Sequence, residues 1–130
     1  MSKLVIHATA LSLMAGRAWK GALILGPPGI GKSDMAVRAV EKGCMLISDD
    51  HTCLWSSGGF LYAAPALVPV EGSRTYTRIH LVALAQSESP GNAPTGEITP
   101  ILGHDIPTLR VSPREASCVP RLISALRKAV

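Results

Sequence analysis

Hydrophobic and polar positions alternate in distinct blocks along the chain. Residues Leu4 to Leu13 (Leu-Val-Ile-His-Ala-Thr-Ala-Leu-Ser-Leu) are partly alternating, with β-branched members, and Ala22-Leu23-Ile24-Leu25 is a continuous apolar run. Between them, Gly16 to Gly21 carries polar and turn-permissive residues, so the pattern predicts two strands joined by a tight turn. Gly26 to Gly31 breaks the pattern. From Ser33 onward, Met35, Ala36, Val37, Ala39 and Val40 fit one face of a helix that Gly43 ends as a C-cap. Cys44-Met45-Leu46-Ile47-Ser48 then reads as a short buried strand carrying Asp49-Asp50 at its carboxyl end. Strand, glycine loop, helix and strand together make a βαβ unit.

Beyond this unit, Thr52 to Trp55 and Phe60 to Ala63 flank Ser56-Ser57-Gly58-Gly59, a hairpin signal. Ile79 to Ala85 is a further strand candidate. Ser87 to Gly96 is turn chemistry without periodicity and is expected as a surface loop. In the last segment Ala116, Val119, Leu122, Ile123, Leu126 and Val130 follow helical spacing, with Arg114, Arg121, Arg127 and Lys128 off that stripe. Pro120 sits where its missing N–H costs least if the helix starts there. No internal repeat or linker divides the 130 residues, and the expectation is one domain over residues 1–130.

Composition narrows the class. With 47% hydrophobic and 17% charged residues the chain has the makings of a folded core, and no run of eighteen apolar residues exists to cross a bilayer. The N-terminal stretch looks superficially like a signal peptide, but His7, Thr9 and Ser12 interrupt it and a first strand is the better reading. Thirteen Lys+Arg against nine Asp+Glu give a charge of +4, spread without a basic block, which hints at an anionic ligand and argues against nucleic acid. Cys44, Cys53 and Cys118 are odd in number and form no C-x-x-C pair. A reducing, cytoplasmic setting is therefore expected, and zinc lacks a fourth ligand at suitable spacing.

The chemistry begins at Gly26-Pro27-Pro28-Gly29-Ile30-Gly31-Lys32-Ser33, a full match to G-x-x-x-x-G-K-[ST] that average residue frequencies would produce in roughly one of a few hundred chains this size. Its place between an apolar strand and a helix is the arrangement in which backbone amides converge on phosphate. Lys32 would neutralise β/γ-phosphate oxygens and Ser33 would offer its hydroxyl to Mg²⁺. Asp49-Asp50 ends the next strand, beside the phosphate site in this topology. There one carboxylate can hold metal and the other can take a proton from an attacking hydroxyl. His7, mid-strand among apolar residues, would on its own be read as structural.

The succession Val5-Ile6-His7-Ala8-Thr9-Ala10, then Gly21 to Ala36 around the glycine loop, then Leu46-Ile47-Ser48-Asp49-Asp50 resembles the catalytic domain of HPr kinase/phosphorylase, in the short form lacking an N-terminal domain. The resemblance covers about residues 3 to 65. It implies an α/β P-loop kinase domain akin to phosphoenolpyruvate carboxykinase: a mixed β-sheet with a P-loop helix and a C-terminal helix. The implied activity is ATP-dependent phosphorylation of a serine of HPr, the phosphocarrier of the sugar phosphotransferase system, together with reversal by phosphorolysis. ATP and Mg²⁺ are the implied cofactors, and a homo-oligomer, often a hexamer, the implied assembly. By the same resemblance His7 matches the family's active-site histidine, Lys32 its P-loop lysine and Ser33 its metal ligand. Asp50 matches the aspartate serving as base in one direction and acid in the other, and Asp49 its neighbour near the metal.

After the hairpin the family carries a Leu-Ile-Glu-Val-Arg-Gly type signature whose glutamate binds metal. This chain reads Leu67-Val68-Pro69-Val70-Glu71-Gly72, with Pro69 in the glutamate's place. Either Glu71 supplies a shifted carboxylate to the metal or this part of the site is lost. The C-terminal segment important for phosphorolysis in long family members is expected to be absent, which weighs on the reverse reaction more than on ATP binding. Two other readings therefore stand beside the kinase: a non-catalytic nucleotide sensor, and a P-loop kinase or ATPase with an unrelated acceptor.

Overall fold

A computed structural model of the chain describes residues 2–66, 75–91 and 96–130. Within them the elements run β1 (Lys3–His7), β2 (Thr9–Ala15), β3 (Ala18–Leu25), α1 (Lys32–Glu41), β4 (Met45–Ser48), β5 (His51–Ser57), β6 (Phe60–Pro65), β7 (Thr77–Ala85), β8 (Ile98–Ile101), β9 (His104–Val111) and α2 (Cys118–Lys128). The strands form a mixed sheet in the order β1-β5-β6-β7-β3-β2-β4, with β9 alongside β7 and β8 alongside β9.

The stretch expected as one strand, Leu4 to Leu13, is two. At Ala8 the chain leaves β1, which pairs antiparallel with β5, and enters β2, which pairs with β3 and β4. The Ala8 amide donates to the Asp50 carbonyl at 3.0 Å, and the Ala8 carbonyl accepts from the buried Thr52 hydroxyl at 2.8 Å, so the backbone groups at the switch stay satisfied. Alternation along a single segment cannot reveal that its two halves find different partners.

The βαβ unit is also modified. β2 runs antiparallel to both β3 and β4, so the two are parallel to each other with β2 between them. β3 in turn pairs in parallel with β7. Gly21 of β3 permits this approach at its lower end, since a Cβ there would stand 2.2 Å from the Arg78 carbonyl oxygen.

Side chains alternate across the sheet and both faces are buried. On one face Leu11, Ala22, Ile24 and Ala83 pack with Met35, Ala36 and Ala39 of α1 and with Val119, Leu122 and Leu126 of α2. On the other, Ala10, Leu23 and Val82 pack with Ile47, Leu54, Leu61 and Ala63, so the β5–β6 hairpin closes the opposite side. That hairpin forms where expected, Ser57 opposite Phe60 across Gly58-Gly59. α1 ends with the Gly43 and Cys44 amides donating back to Val40 and Ala39, as the C-cap reading requires.

α2 begins at Cys118, two residues before the expected Pro120, which occupies the first turn where an amide has no helical acceptor. Its far end is held by Lys20, whose ammonium donates to the carbonyls of Arg127 and Ala129. β8 and β9 have no counterpart among the expected strands. Pro100 and Pro107 interrupt their pattern and are accommodated because β8 pairs only with β9, and β9 joins β7 only from Thr108 on. No helix among the described residues is long and apolar enough to cross a membrane.

Candidate active site

β3 ends at Leu25, and the glycine loop turns the chain into α1 at Lys32. Gly31 takes φ +108°, a conformation open to glycine, and a Cβ there would lie 3.1 Å from Pro113. The first hydrogen bond of the helix runs from the Met35 amide to the Gly31 carbonyl at 2.9 Å. The preceding amides of the first turn are thus left without a helical acceptor and carry the positive end of the helix dipole. Lys32 is buried, with its ammonium donating to the carbonyls of Gly26 at 2.6 Å and Pro27 at 3.0 Å. The lysine thereby draws the start of the loop over the helix terminus and keeps its cation at the loop.

The acidic pair follows β4. The Ser33 hydroxyl lies 3.0 Å and 3.2 Å from the two carboxylate oxygens of Asp49 and donates to them. The same Asp49 Oδ1 accepts from the Thr9 hydroxyl at 2.8 Å and the Asp50 amide at 3.1 Å. Asp50 adopts φ +66°, and the His51 amide donates to the Asp49 carbonyl at 2.8 Å across it. This is a three-residue turn of the strained hand, which costs on the order of 1–3 kcal/mol and turns the Asp50 side chain outward. Ser48 Oγ braces the turn by donating to the His51 carbonyl at 2.8 Å.

His7 stands at the end of β1, paired with His51, rather than mid-strand in an apolar setting. Its Nε2 is 3.9 Å from Asp50 Oδ1, and both side chains are about half or more exposed at 48% and 64%. The His7 and His51 rings meet edge-on with centroids 5.8 Å apart.

Lys32, Ser33, Asp49, Asp50 and His7 are therefore gathered at one edge of the molecule, although they come from β1, α1 and the β4–β5 turn. Gly26 through Gly31, with Pro27, Pro28, Gly29 and Ile30, form the adjoining loop. Glu71 and the Leu67–Gly72 signature lie outside the described residues. Thr9 is the contributor that the sequence reading passed over, treating it as a polar interruption of an apolar segment. Its position two residues after His7, on a strand ending at the same edge, was the available signal.

As for metal, Ser33 and Asp49 form an all-oxygen donor pair. That suits Mg²⁺, which takes few protein ligands and fills its remaining positions with water and substrate phosphates. Among the described residues no group of three His, Cys, Asp or Glu side chains could hold a metal without such help. A separate cleft of about 600 Å³ lies at the opposite end of β7, lined by Phe60, Arg78, His80, His104 and Lys128. Two of its polar groups are already engaged: Arg78 sits 3.8 Å over the Phe60 ring and His104 Nε2 is 2.7 Å from Ser56 Oγ.

The Hpr(Ser) kinase/phosphatase from Coxiella burnetii superposes with a TM-score of 0.68 over 95% of this chain and 87% of that one, at 21% identity. The fold is that of an HPr kinase. In sequence, the HPr kinase/phosphorylase of Mycoplasmopsis pulmonis is 44% identical over 48 residues, which span 37% of this chain and 14% of that protein's length. No protein-family model matches the chain. The resemblance read from the motifs is thus shared by two independent comparisons, and the mixed α/β HPr-kinase-like architecture with a C-terminal helix is the one observed.

Proposed function

We propose that this chain is a single P-loop domain that transfers the γ-phosphoryl group of ATP to a serine of HPr. The observation that carries the reading is the contact of Asp49 with Ser33, the last residue of the glycine loop signature. A phosphate cradle and an acidic doublet in contact are the two parts that phosphoryl transfer to a hydroxyl requires.

In this mechanism the loop amides and the helix terminus hold the phosphates and Lys32 balances their charge. Ser33 and Asp49, with Glu71, would hold Mg²⁺, which when bound offsets charge on the transferred group. Asp50, turned outward by its strained backbone, accepts the proton of the serine hydroxyl, and His7, 3.9 Å away, orients that carboxylate. Little covalent work is asked of the protein: positioning and charge neutralisation supply most of the rate. With inorganic phosphate as acceptor, the same groups would move the phosphoryl group of phosphoserine onto that phosphate, Asp50 returning a proton to the serine oxygen and pyrophosphate leaving. A cytoplasmic, homo-oligomeric enzyme, as in the family, completes the proposal.

The substitution of Pro69 for the family glutamate supports a second reading, in which nucleotide is bound and sensed without transfer. Incubation with γ-labelled ATP, Mg²⁺ and HPr separates the two. Label on one HPr serine is the expected result, nucleotide binding without label supports the sensor, and label on other acceptors alone overturns HPr as substrate.

A further inference from the structure

We infer that Thr9 is a positioning residue that fixes Asp49 toward Ser33, and so sets the divalent-cation requirement of nucleotide binding; this rests on the phosphoryl-transfer reading above. The argument is topological. The glycine loop follows β3 and the acidic pair follows β4, but β2 lies between those strands, so the two halves of the site are two strand spacings apart, about 9–10 Å. Ser33 itself stands on α1, which packs on both β2 and β4, and it is there that the carboxylate from the β4 end meets it.

Thr9 is the residue of β2 at that level, with its backbone opposite Ile24 near the end of β3. Its side chain is 1% exposed and its hydroxyl donates to Asp49 Oδ1 at 2.8 Å, the shortest bond that carboxylate makes to a side chain. A β-branched side chain on a buried strand has few rotamers, so the donor is fixed in direction before any ligand arrives. Asp49 is itself exposed, and its other partners are the exposed Ser33 hydroxyl and the adjoining Asp50 amide, so Thr9 is its one buried anchor. Thr9 holds Oδ1, the oxygen nearer the Ser33 hydroxyl at 3.0 Å, and leaves Oδ2 bonded only to Ser33 at 3.2 Å.

The test measures affinity for a non-hydrolysable ATP analogue by calorimetry, with and without Mg²⁺, in the full chain. Thr9→Val keeps the shape and removes the donor. It should raise the Mg²⁺ concentration giving half-maximal enhancement about tenfold, the low end of effects from residues that orient metal ligands, while metal-free affinity stays within about twofold. Thr9→Ser restores the donor and should return the midpoint to within about twofold of the parent. In an Asp49→Asn background, Thr9→Val should add almost nothing.

An unchanged Mg²⁺ midpoint in Thr9→Val, or equal loss of metal-free and metal-bound affinity, overturns the role of Thr9 while leaving the nucleotide site standing. Failure of the parent chain to bind the analogue with any Mg²⁺ dependence instead overturns the underlying reading. Should Thr9→Val not fold, Thr9→Ala removes the same donor without added bulk and is judged by the same two affinities.

Discussion

The parallel pair β3–β7 has two ends of opposite character. At the carboxyl end, Ser33, Asp49, Asp50 and His7 are bonded mainly to one another and face solvent. At the amino end the polar groups are buried within the sheet: Ser12 meets Thr77 at 3.0 Å, and the Gly21 amide lies 3.3 Å from His80 Nδ1. Exposed polar pairs contribute little to stability, whereas a buried polar group left without its partner costs about 1–3 kcal/mol. One end is therefore free to be spent on chemistry, and the other holds the sheet together.

Substitutions should divide along that line, and the largest effect belongs to the first end. Asp50→Asn should lower transfer to HPr by about 10²–10⁴-fold, the usual range for removing a general base, with nucleotide affinity and melting temperature nearly unchanged. Equal loss of affinity and transfer would make Asp50 a binding residue. At the second end, Gly21→Ala drives a Cβ into the Arg78 carbonyl. It should cost about 3 kcal/mol or more in chemical denaturation, with loss of nucleotide binding following unfolding. A stable Gly21→Ala variant would show that the β3–β7 approach is looser than described.

Leu122→Ala, in the buried face of α2, should destabilise by about 2–4 kcal/mol without changing the Mg²⁺ dependence of the folded fraction. The smallest effect is a pH slope. Burial, reinforced by Arg78, holds the His80 imidazole below its ordinary value of 6.5, so the neutral ring is the folded form. Below pH 6.5 the unfolded chain takes up a proton that the fold does not, and stability should therefore fall on acidification through that point. His80→Asn, which retains an acceptor for the Gly21 amide, should flatten the slope in melts between pH 5 and 7.

The first half of the chain was largely legible because its signals are local. Glycine spacing announces the loop, apolar spacing the helix, Gly58-Gly59 the hairpin. The break at Ala8 was hidden because both halves of Leu4–Leu13 satisfy the same alternation, and only their partners differ. β8 and β9 were hidden because Pro100 and Pro107 are strand breakers in isolation and tolerated only where a strand edge needs no donor. Within the site, Lys32, Ser33 and the acidic pair carry recognisable spacing. Thr9 offers only its place two residues after His7, since its importance comes from strand order.

The insertion of β2 between the loop-bearing and acid-bearing strands also ties the birth of the site to folding. Side chains on a strand alternate sides, so a slip of one residue in β2 would swing the threonine hydroxyl away and present Ala8 or Ala10 to the carboxylate instead. The glycine loop and the acidic pair meet as described only where β2, from the first residues of the chain, lies between β3 and β4 in the right register. A partly folded chain should therefore lack a weakened version of the site and have none at all.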